Sequence, residues 1–362
     1  MARFEASWHF AVAVGAALSL GITITAHAGP APDRAEDRSV LTTDASGPVW
    51  SPDGTRIAFT SDLEDAGNRD IYIAVADGAR LTRLTTAAGA DYQPAWSPDG
   101  EQLAFSSNRA GSYASDIFVV DVGGGAPRNV SRHEHGDRRP AWSPDGKSIA
   151  FESTRAGNAD IYVVAADGGE ATRLTKDGKD DLRPLWSPDG AMIAFTRGAI
   201  FVMAADGSGA WKVTSDAGHH AALAWSPDGT RIAFMSLRAE PGDWEIAVVH
   251  VASGDTTRLT RHAARDPHPV WSPDGQRIAF SSDRRGAREL FFVDAGGGTP
   301  AVVSAERVLA EDPAWSPDGR RIAFASGAYG SRSILMINAD GASLRALLDG
   351  DSNTLSTAVV PR

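Results

Sequence analysis

Trp50-Ser51-Pro52-Asp53-Gly54 decides the fold, because the same pentapeptide returns at Trp96, Trp142, Trp186, Trp225, Trp271 and Trp315. The steps between copies are 46, 46, 44, 39, 46 and 44 residues. A fixed period near this length with a repeated tryptophan belongs to solenoids and propellers. Within the motif, Pro presets φ for a turn, Asp bonds to nearby backbone, and Gly accepts the left-handed conformation. The pentapeptide therefore reads as a hairpin turn between two strands.

Working outward, each motif is followed by a short apolar run such as Arg56-Ile57-Ala58-Phe59 or Arg277-Ile278-Ala279-Phe280. That is too short for a helix and apolar on both faces, as in a strand buried between two sheets. A second run such as Asp160-Ile161-Tyr162-Val163-Val164 follows, then a turn at Asp167-Gly168-Gly169, then a short strand such as Thr172-Arg173-Leu174-Thr175. Each unit thus holds four strands. A sheet with two apolar faces must stack on copies of itself, and radial stacking gives a propeller. The expected fold is all-β: a seven-bladed β-propeller of four-stranded antiparallel blades over residues 39–350.

These repeats resemble the TolB-type, WD40-like propeller family, in the pattern Pro-x-Trp-Ser-Pro-Asp-Gly, Ile-Ala-Phe, Asp-Ile-Tyr, Asp-Gly, Arg-Leu-Thr over roughly residues 40 to 348. The resemblance implies the fold and, by analogy, a propeller that binds a protein segment or peptide over its channel mouth. TolB propellers have six blades and follow an α/β domain. Here seven motifs predict seven blades, and about twenty residues separate the predicted cleavage site from the first motif. Such propellers host binding proteins, lyases and peptidase gatekeepers, so function must be argued from sites.

The other stretches bound the possibilities. Phe10 to Ile24 is apolar or small, and Ala26-His27-Ala28 is a small-x-small cleavage site. Residues 1–28 read as a secretory signal peptide, and 29–38 as a polar, disordered linker. A bacterial periplasmic or secreted monomer follows, with no membrane span after cleavage and a partner in the cell envelope. A net charge of −11, from 46 acids against 35 bases, argues against nucleic acid. There are no cysteines, which excludes disulfides, thiolate catalysis and lipid attachment. Three segments compete to close the ring: Val40 to Thr43, Leu344 to Leu348, and the tail Leu355 to Val360 within residues 351–362. Blade four has a shortened hairpin at Phe195 to Ile200, and blade five a long loop from Arg238 to Trp244.

Two patterns in the repeats could carry chemistry. A recurring Ser-x-Arg precedes an acid, which predicts pairs Arg109 with Asp116, Arg155 with Asp160, Arg238 with Glu245, and Arg284 with Glu289. The connector ahead of each tryptophan feeds the strand that lines the channel. Asp91, Asp137, Asp181 and Asp266 recur there, as a turn device or a carboxylate ring for a divalent cation. Residues that differ between blades are the better candidates for partner binding: Tyr92, Gln93, Arg138, Arg139, Arg183, His220, His268 and Asp312. No catalytic residue is assigned and no cofactor is required. Histidines also cluster in these connectors, so His219, His220, Asp266 and His268 form a candidate metal set. Oligogalacturonate lyases, seven-bladed propellers with manganese in the central cavity, are similar in outline. They imply an alternative: a metal-dependent lyase or hydrolase acting on an acidic saccharide. Prolyl oligopeptidase-type activity needs a Gly-x-Ser-x-Gly elbow, and none occurs.

Overall fold

The structure, a computed structural model, describes residues 44–347 except 66, 110–113, 216–217, 238–243 and 305–306. The signal segment, the linker, Val40 to Thr43, Arg238 and the tail lie outside the described residues. Seven four-stranded antiparallel sheets follow one another, each formed in simple sequence order. Blades one to seven span 46–83, 91–129, 137–173, 182–212, 219–258, 270–302 and 311–346. The innermost strand of each blade touches that of the next, and the strand Ser46–Trp50 touches Glu311–Trp315, so the ring is closed. The outer strand of blade seven is Arg345–Ala346. Of the three competing segments, Leu344 to Leu348 is the one whose described part, Leu344 to Leu347, holds that position.

The pentapeptide works as a small hydrogen-bonded unit. Ser51 Oγ donates to Asp53 Oδ1 at 2.5 Å and accepts the Arg56 N–H at 2.9 Å. Asp53 Oδ1 also accepts the Thr55 N–H at 3.0 Å, and Gly54 takes φ +69°. The turn of each blade leans on the one before it: a Cβ on Gly100 would lie 3.5 Å from Pro52.

The tryptophan ties blade to blade. Trp96 Nε1 donates to the Val49 carbonyl at 3.0 Å and Trp142 Nε1 to Ala95 at 3.1 Å. The same bond closes the ring, from Trp50 to the Ala314 carbonyl at 3.0 Å. Where the second strand begins with Arg, its guanidinium covers the next tryptophan, as Arg56 covers Trp96 at 5.0 Å. Between blades lie fully buried phenylalanines (Phe59, Phe105, Phe151, Phe195, Phe234, Phe280, Phe324), each less than 2 % exposed. They fill the wedge that stacking must close.

Blade four has the expected tight hairpin, with Arg197 paired to Ala199 across Gly198. The predicted Arg–acid pairs are corrected. Arg109 reaches back to Asp91 at 2.8 Å, Arg155 to Asp137 at 2.7 Å, and Arg284 to Asp266 at 2.7 Å. The register explains why. Ser107 pairs with Asp116 on one side and Asp91 on the other, so both carboxylates flank the arginine. Asp116 is taken by Asn129 and the Ser131 hydroxyl; Asp160 is taken by Arg173.

Candidate functional site

Three positions ahead of each motif tryptophan stands a residue in the left-handed region: Gly47, Gln93, Arg139, Arg183, Ala222, His268 and Asp312, with φ between +50° and +60°. Six are not glycine, although this conformation costs an L-residue about 1–2 kcal/mol. In six blades the pairing register slips here, as between Tyr92 and Ala95 or Leu182 and Leu185. A bulge of this kind re-aims a side chain. All seven residues line one cavity of about 870 Å³ at the channel mouth.

The lining is unevenly charged. Blades three and four contribute Arg138, Arg139 and Arg183; blades six and seven contribute His268 and Asp312. Gly47 and Ala222, on blades one and five, contribute no long side chain to the lining. On the cationic bank, Arg139 Nη1 donates to both Glu152 oxygens at 2.9 and 3.1 Å, and the Arg183 backbone N–H donates to Glu152 Oε2 at 3.0 Å. The Arg183 guanidinium has no acceptor among the described residues. Burial and the neighbouring Arg139 charge push Arg183 below the ordinary arginine range, against the pull of Glu152. A half-buried, like-charged arginine pair sharing one carboxylate favours an incoming anion.

On the opposite bank, His268 Nδ1 lies 2.9 Å from Asp312 Oδ1. Burial opposes ionisation of Asp312. The close His268 contact and its charge, with the Arg332 charge, still hold it below the usual carboxylate range. Gln93 Oε1 accepts from Ser106 Oγ and from the Arg139 N–H, each at 3.1 Å. Tyr92 is exposed on the same rim.

Of the candidate binding residues, Tyr92, Gln93, Arg138, Arg139, Arg183, His268 and Asp312 thus share one cavity. His220 does not line it. It occupies the position filled by Asp91, Asp137, Asp181 and Asp266 in other blades, is 5 % exposed, and packs edge-on to Phe234 at 4.7 Å. The candidate metal set is not brought together: His219 is exposed, His220 buried, Asp266 paired with Arg284, and His268 paired with Asp312. Among the described residues no three His, Asp or Glu side chains converge on a metal position.

Two features escaped the sequence reading. Glu152 follows the strand phenylalanine where other blades have Thr60, Ser106, Thr196, Met235, Ser281 and Ala325; that lone charge was visible as an irregularity. In blade five, Leu223 replaces the proline found in every other connector (Pro48, Pro94, Pro140, Pro184, Pro269, Pro313).

Comparisons place this geometry among known proteins. A search of curated proteins returned no match. Among solved structures, an oligogalacturonate lyase in complex with manganese superposes with a TM-score of 0.66 at 17% identity, covering 82% of this chain and 90% of that one. A Mycobacterium tuberculosis puromycin-hydrolyzing peptidase gives 0.69 at 17% identity, covering 90% of this chain and 56% of that one. A putative TolB from Agrobacterium tumefaciens gives 0.51 at 21% identity, covering 77% and 87%. At these identities the likeness concerns the fold. The model of the TolB beta propeller domain matches residues 34–114, 113–206 and 197–361, and the chain belongs to that family.

Proposed function

We propose that this propeller is an exported, non-catalytic binding module that takes a segment of an envelope protein into the mouth lined by the seven left-handed residues. The observation that carries the reading is the Arg139–Arg183 pair on strained backbone, with the Arg183 guanidinium unpartnered among the described residues. Backbone strain of this kind is retained where surroundings and use both require it. An acidic group on the partner answers the cationic bank. The short residues Gly47 and Ala222 leave an extended chain room to cross. Binding of this kind needs no cofactor and no second copy of the chain. Export rests on the apolar segment and cleavage site before Gly29.

The test is a pull-down from the native cell envelope. The mature chain is run beside a variant with Arg138→Ala, Arg183→Ala and His268→Ala. A partner held by the native chain and lost by the variant supports the reading; one held equally by both overturns it. The alternative, a metal-dependent lyase or hydrolase on an acidic saccharide, shares the arginine bank but asks for converging ligands. Its own test is cleavage of an acidic oligosaccharide with added manganese.

A further inference from the structure

Beneath the arginines lies a second hollow. It has a volume of about 290 Å³ and shares Gln93, Arg139, Arg183 and Ala222 with the mouth. Its remaining walls are apolar, chiefly Pro140, Pro184, Leu185 and Leu223. Leu185 and Leu223 are only partly buried, although both pack against the core between blades four and five. Leu223 is the one departure from proline at its position in the seven connectors, and Ala222 beside it is, after Gly47, the smallest residue at its own. Blade five thus trades a proline for a branched aliphatic residue and keeps the entrance above it low.

An anion-binding pair at the lip and an apolar hollow directly below demand one ligand with both characters. A free saccharide acid supplies the charge without the apolar group. An internal Asp or Glu supplies the charge on the same side chain that would have to enter the hollow. The last residue of a polypeptide supplies the two from one Cα: the α-carboxylate and its own side chain.

We propose that the mouth captures the C-terminus of its partner, the terminal carboxylate resting on Arg183 and Arg139 and an aliphatic last side chain entering the hollow walled by Leu185 and Leu223. This rests on the reading of the mouth as a peptide-binding site and names what the peptide must end in. The charge-assisted bonds fix orientation, and the hollow sets preference by apolar burial.

The test uses pentapeptides with a common Gly-Ser-Gly-Ser body that differ only in the last residue, measured by calorimetry against the mature chain. The free acid ending in leucine is expected to bind at least tenfold more tightly than its C-terminal amide, and about fivefold more tightly than the acid ending in serine. Arg183→Gln should remove the preference for acid over amide. Ala222→Gln places at blade five the side chain that Gln93 already carries on the same backbone geometry, so the fold tolerates it. It should remove the preference for leucine over serine while keeping that for acid. Equal binding of acid and amide, acid-dependent binding indifferent to the last side chain, or no binding of any peptide at millimolar concentration each overturns the proposal. An envelope partner that is lost with the Arg138/Arg183/His268 variant, yet still held after its C-terminal residues are removed, would leave the segment-binding reading standing and sink this one.

Discussion

Arg332 in blade seven and Asp44 at the entry to blade one stand 288 positions apart and meet in two hydrogen bonds, Nε to Oδ1 at 2.6 Å and Nη2 to Oδ2 at 3.0 Å. Both are almost fully buried. No peptide joins blade seven to blade one, so this pair lies on the seam where the ring must be held by non-covalent contacts. The Ala45 N–H to Arg332 carbonyl bond at 2.9 Å and the Arg345 contact with the Ala76 carbonyl at 2.8 Å lie along the same seam. Breaking a buried pair by truncating one partner costs about 3–5 kcal/mol. Asp44 keeps Arg69 as a second partner at 2.5 Å, which places Arg332→Ala at about 3 kcal/mol, the low end. Urea unfolding of Arg332→Ala beside Arg320→Ala, an exposed control, checks this; equal midpoints would mean that the seam is held elsewhere.

Acid should weaken the ring through its turns. In all seven pentapeptides the serine hydroxyl, ahead of every other influence, holds the aspartate below its ordinary value; Asp53 and Asp228 are held at about 2. A carboxylate depressed in the folded state contributes stability that is fully present above the unfolded value of about 3.9 and is lost as pH falls through the folded one. The expected window is therefore pH 4 down to 2. Denaturant midpoints at pH 5, 4, 3 and 2 should be flat at first and then decline. Ser51→Ala combined with Ser226→Ala should shallow the decline, and an unchanged slope would remove the turns as its source.

The blades were legible because their information is local. The pentapeptide carries its own turn, and the two strands beyond it are specified by a few consecutive residues. The site was legible only in composition. Gln93, Arg183 and Asp312 stood out as residues that vary where the repeat does not require it. Their shared left-handed backbone had one visible trace, the glycine at position 47 among six side chains. His220 misled because histidine in a connector looks like a rim residue. Only the alignment of blades shows that it takes the buried place of Asp91 and Asp137. The arginine partners were ambiguous because a meander puts two carboxylates beside the same serine, and the choice depends on what else each carboxylate binds.

The left-handed ring predicts opposite effects of two small substitutions. A Cβ on Gly47 would meet nothing within 4 Å, so Gly47→Ala tests backbone conformation alone. It should destabilise by about 1 kcal/mol, the cost of φ +60° for an L-residue. Ala222→Gly relieves the same strain at φ +51° and should stabilise, by less than about 1 kcal/mol because glycine also loosens the unfolded chain. Thermal unfolding of both decides. If Ala222→Gly destabilises, the strain is absent at blade five.

Trp315 should tolerate what the other motif tryptophans do not. Its indole Nε1 is buried without an acceptor among the described residues, whereas Trp96, Trp142, Trp186, Trp225 and Trp271 each donate to the preceding blade. The difference traces to blade six, whose inner strand is only Val270–Trp271 and whose connector carries a second proline, Pro267, that the other blades lack. Proline gives a strand no N–H for pairing, and the Val270 carbonyl, in the place of the usual acceptor, receives no indole bond. Phenylalanine at position 315 would keep the ring stacked near Phe292, now 5.1 Å away, while discarding an N–H that makes no bond. Trp142→Phe removes a bond from the Ala95 carbonyl and should cost about 1 kcal/mol more than Trp315→Phe. Paired urea titrations measure the gap. Equal losses would mean that the Trp315 indole is bonded in solution, and that the blade six to blade seven junction is as tightly tied as the others.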